Sequence, residues 1–187
     1  LCDRRQRQMC IRDRFHSVRG VGFIYKKEGK KLNPLLAGGG QEGDLRSTTE
    51  NVAGIAATAK ALRLVTDKEA YALPKIATMK EIIYDELAKH KDILIFSGKD
   101  DTFAPNILTF GIKGVRGEVV VHAFEEHEIY ISTTSACSSK AGKPAGTLIA
   151  MGVPTKLAQS AVRISLDDDN DMGQIEQFLT IFKQVYE

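Results

Sequence analysis

Residues 93–112 read ILIFSGKDDTFAPNILTFGI. Two short apolar runs, 93–97 and 106–112, flank a polar loop that carries Gly98 and Pro105. Runs of this length, rich in Ile, Leu and Phe and bounded by turn residues, predict two β-strands. Downstream, residues 118–127 suit a short helix, 129–132 a third strand, 133–146 a loop, 147–151 a short helix stopped by Gly152, and 161–166 a fourth strand. The acidic stretch 167–171 favours the positive end of a helix dipole. The helix it opens turns Ile175, Phe178, Leu179, Phe182 and Val185 inward. Strands interspersed with helices, several joined by short links, predict an α+β domain with helices covering one face of a sheet.

Upstream of Lys91 the pattern is helical. Ser47 and Glu50 have the S-x-x-E spacing of a capping box. Val52, Ile55, Ala56, Ala59 and Leu62 repeat at helical spacing, which predicts a helix over 48–65 with one apolar face. Asp67 is placed to cap a second helix with Leu73, Ile76, Ile83 and Leu87 on its inner face, and Pro74 either kinks it or sets its start. Residues 20–25, GVGFIY, read as a short buried strand.

The 187 residues carry a net charge of +2 and are 43% apolar. That is enough apolar material for a core, and it argues against disorder. No stretch approaches ~18 uninterrupted apolar residues, which argues against a transmembrane helix. The charge is uneven. Residues 1–14, LCDRRQRQMCIRDR, hold five arginines against two aspartates, which leaves the other 173 residues at −1. A nucleic-acid-binding arm is one reading of this leader. It has no apolar period, cap or signal-peptide core, and it resembles a translated adapter, so it is taken as non-native. Direct nucleic-acid binding is not expected. The chain starts with Leu, and the expectation is a fragment with its N-terminal part missing.

Outside the leader the one cysteine is Cys137. A single thiol forms no internal disulfide, which points to a reducing compartment. Cys137 lies in Ser132-Thr133-Thr134-Ser135-Ala136-Cys137-Ser138-Ser139-Lys140. A loop of small polar residues exposes a thiol, and Lys140 favours the thiolate. The alternative is an incidental loop cysteine. Arg163 lies mid-strand in AVRISL, where a guanidinium fork needs an anion such as a carboxylate, unless it simply points outward. Gly38 to Ser47, GGGQEGDLRS, with Thr48 and Thr49 beside it, precedes a helix and could hold a phosphate; an ordinary glycine loop is the alternative. His16, His90, His122 and His127 have no ligand spacing with Cys137, so no metal site is expected.

These landmarks resemble the cysteine desulfurase family, class V aminotransferase-like enzymes dependent on pyridoxal phosphate. GVGFIY, GGGQEGDLRSTTENVAG, APNILTF, SACSS and VRISL follow one another in the family's order and at similar spacing, from about Phe15 to Glu187. The SACSS loop resembles the branch serving iron–sulfur cluster assembly and tRNA thiolation. The resemblance implies residues 15–66 as the end of the large cofactor-binding domain with its linking helix, and 67–187 as the small C-terminal domain of a fold-type I enzyme. It implies Cys137 as the catalytic nucleophile that becomes a persulfide, and Arg163 as the substrate-carboxylate ligand. Thr49 would contact the cofactor phosphate of the other subunit in a homodimer, and Arg46 and Asn51 would occupy active-site or interface positions. L-cysteine as substrate, L-alanine as product, a sulfur-acceptor protein and a cytoplasmic location follow from the same resemblance. The family's Schiff-base lysine lies just before the position of Phe15, where this chain has Arg12-Asp13-Arg14. The chain alone is therefore expected to be inactive, and His90-Lys91 does not replace the missing motif. The alternatives are a selenocysteine lyase or another class V aminotransferase on the same scaffold, or a non-catalytic dimerisation or sulfur-carrier module.

Overall fold

The computed structural model describes residues 15–133 and 146–186. It divides into two compact units, with the boundary after Glu69.

In the first unit the expected strand at 20–25 is not formed. The segment pairs with no strand among the described residues, and Ile24 and Tyr25 are about four-fifths exposed. Strand backbone is satisfied only by a neighbour, and local sequence supplies none. The only pairing here is a single bridge between Leu36 and Arg46 among the described residues. Phe15 is buried, with the Phe23 ring 6.4 Å away.

Helix α1 runs from Val52 to Leu87 as one element, where two helices were expected. Its cap is Asn51, whose Oδ1 accepts the Gly54 N–H at 3.0 Å. Ser47 does not form the expected capping box, because its backbone N–H is committed to Leu36 O. Asp67 lies inside the helix. Pro74 removes one helical hydrogen bond without ending the helix. Thr78 Oγ1 donates to the Pro74 carbonyl at 3.0 Å, and the buried stripe Ala72, Ile76, Met79, Ile83 and Leu87 gives the helix a reason to continue.

The apolar face expected at 52–62 is also corrected. Val52, Ile55 and Leu62 are exposed, while Gly54 and Thr58 are buried. Ser17 Oγ donates to Thr58 Oγ1 at 2.8 Å, and Thr58 Oγ1 donates to the Gly54 carbonyl. A Cβ at Gly54 would stand 2.4 Å from Val21 Cγ2. Close approach of the preceding chain therefore selects the small-residue face of this helix for burial, and the larger apolar residues stay outside.

The second unit holds a four-stranded antiparallel sheet in the order β1-β2-β4-β3, with β1 Ile93–Ile95, β2 Ile107–Ile112, β3 Ser132–Thr133 and β4 Ala161–Ser165. Helix α2 spans Gly117–Glu125 and α5 spans Met172–Tyr186. One sheet face carries Leu108, Phe110, Val162 and Ile164, buried in one cluster with the stripe of α1, with Val120 and Phe124 of α2 and with Ile175, Phe178 and Phe182 of α5. The expected α+β architecture with helices over one face is present. The opposite face is covered more lightly. Short helices α3, Gly146–Ala150, and α4, Thr155–Ala158, bring Leu148 and Ala158 against Ala161. Helix α4 was not anticipated.

β3 begins three residues later than expected. Glu128 has φ +59°, and the Ile129 N–H still closes the end of α2 by bonding to Phe124 O. The chain is free to pair only beyond that turn. Helix α5 starts at a reciprocal cap. Asp171 Oδ1 accepts the Gln174 N–H at 2.9 Å, and Gln174 Oε1 accepts the Asp171 N–H at 3.3 Å.

Phe182 sits at the centre of the aromatic cluster, with the rings of Phe110, Phe178, Tyr186 and His90 within 6.4 Å. It is 1% exposed. Replacing it with alanine is expected to cost about 3–5 kcal/mol, because the surrounding rings cannot all collapse into the space left. Urea unfolding measures this, and a loss below about 1 kcal/mol would show that the cluster is not the core.

Glu86 of α1 takes Lys89 at 2.6 Å and Lys183 of α5 at 3.3 Å. The hydrogen bond from Lys89 holds its carboxyl below the ordinary glutamate range, against the opposing effect of burial, with Lys183 adding to the depression. A depressed carboxyl contributes stability above its unfolded pKa of about 4.3 and loses it as pH falls through the lower folded value. Glu86→Gln should therefore be less stable than wild type at pH 7, by up to about 1 kcal/mol given its exposed lysine partners. The difference should close on acidification below pH ~4, and a gap constant with pH would reject the assignment.

Candidate functional site

Arg163 lies in the middle of β4, paired on one side with Thr109 of β2 and on the other with Ser132 of β3. Opposed residues in antiparallel strands share a face, so Thr109, Arg163 and Ser132 form one polar row across the sheet. Val162 and Ile164 face the helix-covered core, which places the row on the opposite face, where α3 and α4 pack against Ala161.

All three residues are half-buried. Among the described residues the fully buried Arg163 Nε has no hydrogen-bond partner, and Arg163 makes no ion pair. A guanidinium keeps its charge at any physiological pH, and a buried donor left unpaired costs about 1–3 kcal/mol. An outward-pointing strand arginine would have its Nε in water. This one keeps a buried Nε donor with no partner among the described residues, a demand that an anionic ligand would meet.

The strand beside it is shaped by side chains. Phe96 N–H donates to Thr109 O at 2.8 Å. The return bond from Thr109 N–H goes to Ser97 Oγ at 2.9 Å. Ser97 is buried, so its hydroxyl closes the ladder as β1 ends. Gly111, also on Arg163's face, admits the Ser160 backbone: a Cβ there would stand 3.0 Å from Ser160 O.

Cys137 lies outside the described residues. β3 ends at Thr133 and α3 begins at Gly146, so the chain enters residues 134–145 directly from the strand that pairs with Arg163.

The other expected site residues belong to the first unit. Thr49 is exposed, two residues before the α1 cap. Arg46 is exposed and bridges Leu36 through its backbone. Asn51, expected at an active-site or interface position, spends its Oδ1 on the Gly54 N–H and acts as the helix cap. The glycine loop is tightly wound, with Gly40, Glu42, Gly43 and Asp44 at φ between +53° and +84°. The buried Ser47 Oγ and Gln41 Oε1 find no partner there.

Three residues fall away from the chemistry or were missed by it. His90 is half-buried and packs edge-on against Phe182 and Tyr186, with ring centroids at 5.3 and 4.5 Å. Lys80 is the buried lysine among those described, and its Nζ donates to Ala104 O at 2.9 Å. Burial lowers its pKa and Asp100 opposes the shift; it ties α1 to the loop between β1 and β2. Thr109 is the residue missed, although a polar side chain alternating against Leu108 and Phe110 was the signal for it. Among the described residues no cluster of three or more His, Cys, Asp or Glu could hold a metal, and no helix is long and apolar enough to cross a membrane.

Comparison with known proteins agrees with this framework. A protein from Lactobacillus delbrueckii subsp. bulgaricus described as a NifS/IcsS protein homolog is 48% identical over 174 residues, which is 93% of this chain and 45% of that protein. A cysteine desulfurase IscS from Dictyoglomus turgidum is 30% identical over 177 residues, covering 93% and 44%. Among solved structures, a NifS-like protein superposes with a TM-score of 0.77 at 29% identity, covering 94% of this chain and 44% of that one. A NifS-like protein from Rickettsia africae gives 0.69 at 30% identity, covering 84% and 41%. The chain thus spans less than half the length of the relatives it matches. The family described as aminotransferase class-V matches residues 13–178, and with the sheet, the helix-covered face and the ordered landmarks in agreement, the chain belongs to that family.

Proposed function

We propose that a full-length protein carrying this segment is a cysteine desulfurase, in which Arg163 binds the carboxylate of L-cysteine and Cys137 receives the sulfur. The observation that carries the proposal is the buried, unpartnered Arg163 Nε beside the strand that leads into the Cys137 loop. The names of the relatives support the same reading.

In this reading the Cys137 thiolate attacks the substrate sulfur. A new S–S bond forms, the substrate Cβ–S bond breaks, and its electron pair remains on the carbon, which takes a proton to give L-alanine. Atoms and electrons balance as L-cysteine plus thiol giving L-alanine plus persulfide. Pyridoxal phosphate, when bound, supplies the electron sink that makes the carbon skeleton a leaving group. Thr49, exposed ahead of the α1 cap, fits a phosphate contact reaching another subunit. No described lysine fits covalent attachment: Lys80 is bonded to Ala104 O, and the other described lysines are exposed. A cytoplasmic homodimer that passes sulfur to an acceptor protein, for iron–sulfur cluster assembly or tRNA thiolation, completes the proposal.

The test is to supply the full-length protein with L-cysteine and a reductant. Equal amounts of alanine and sulfide are expected, with a reducible persulfide on Cys137 when the reductant is omitted. Absence of alanine would overturn the proposal, and turnover confined to selenocysteine would reassign the protein as a lyase for that substrate.

A further inference from the structure

We propose that Thr109 is a specificity-determining residue, whose hydroxyl donates to the substrate carboxylate beside Arg163 so that the pair selects an α-carboxylate together. The proposal rests on the reading of Arg163 as the carboxylate ligand and deepens it.

Thr109 and Arg163 are directly paired on β2 and β4, a relationship that places their Cβ atoms about 4.5–5.5 Å apart. A guanidinium that binds a carboxylate side-on through Nε and one Nη leaves lone pairs on both oxygens, and these need further donors when water is excluded. The Thr109 hydroxyl makes no hydrogen bond among the described residues, so its proton is available. Ser132 flanks Arg163 from the other side, but it lies on a two-residue edge strand.

Thr109 is the better-organised donor. It lies on a strand paired on both sides, and both of its backbone polar groups are engaged, by Phe96 N–H and by Ser97 Oγ. Its β-branched side chain adds stiffness at χ1. A donor whose position is set before the ligand arrives costs little further ordering on binding.

The full-length protein would be compared with T109V, T109S and R163A, using L-cysteine and L-cysteine amide as paired substrates and thermal melting as a check on folding. Valine keeps the shape of threonine and removes only the donor. T109V should raise KM for L-cysteine roughly ten- to hundredfold, as expected for a hydrogen bond to a charged group, with kcat changed much less. Its preference for L-cysteine over the amide should fall by a similar factor, and T109S should restore both. An unchanged KM, or an equal loss for acid and amide, would overturn the role of Thr109. If R163A also keeps the preference for the acid, the carboxylate reading of Arg163 fails and this proposal with it. If R163A loses that preference while T109V keeps it, only the role of Thr109 fails.

Discussion

Replacing Cys137 with serine in a full-length protein carrying this segment is expected to reduce persulfide and sulfide formation to background, while L-cysteine still binds. A thiolate is available near neutral pH, and sulfur is intrinsically nucleophilic, whereas a serine hydroxyl without a neighbouring base is not. The small polar residues around Cys137 in the sequence, with Lys140 three positions on, are the basis of that expectation. The structure adds how the loop is anchored. It leaves β3 one residue after Ser132, the register partner of Arg163, and returns to the fold at α3. In the proposed reading, a nucleophile on the segment that follows the strand paired with Arg163 gains the proximity that intramolecular attack requires. Alkylated peptide mapping for the persulfide, together with alanine assay, measures the effect. Alanine and sulfide produced at the wild-type rate by the serine variant would mean that another group removes the sulfur.

Arg163→Ala in the same protein is expected to weaken L-cysteine binding by roughly 2–4 kcal/mol, on the order of 10²-fold, with little change in melting temperature. The two halves of this expectation have one cause. Among the described residues Arg163 makes no ion pair and its buried Nε has no partner, so its removal strands no opposite charge among them. A structural arginine would behave in the reverse way, leaving a buried carboxylate uncompensated and lowering stability by several kcal/mol. Arg163→Lys should recover only part of the affinity, since an ammonium is a point charge that cannot present two parallel N–H donors. A variant with wild-type cysteine affinity and a much lower melting temperature would show that Arg163 supports the fold instead.

The elements legible from sequence were those whose cause is local. β1, β2, β4, α2 and α5 announce themselves through short apolar runs or 3.6-residue spacing, and the inward face of α5, with Ile175, Phe178 and Phe182, is buried as its periodicity required. The acidic residues before α5 marked its start, and Asp171 is its cap. Arg163 stood out for a similarly simple reason, a charge among apolar strand residues.

What the tertiary structure decided depends on pairing between distant segments. Residues 20–25 have strand composition, but composition does not supply a neighbouring strand. The stripe from Val52 to Leu62 looks like a buried face, yet contact of Val21 with Gly54 and of Ser17 with Thr58 turns the small residues inward. Pro74 reads as a break until the stripe from Ala72 to Leu87 meets the sheet. β3 waits for α2 to finish its last turn. Register, above all, is invisible along the chain: Thr109, Ser132 and Arg163 are far apart in sequence, and only the pairing of β2 with β4 and of β3 with β4 places them in one row. The sequence alone determined β1, β2, β4, α2 and α5, because the preferences that form them act over a few residues. Which faces are buried, and which polar groups meet around Arg163, was decided by packing and by the strand register that packing selects.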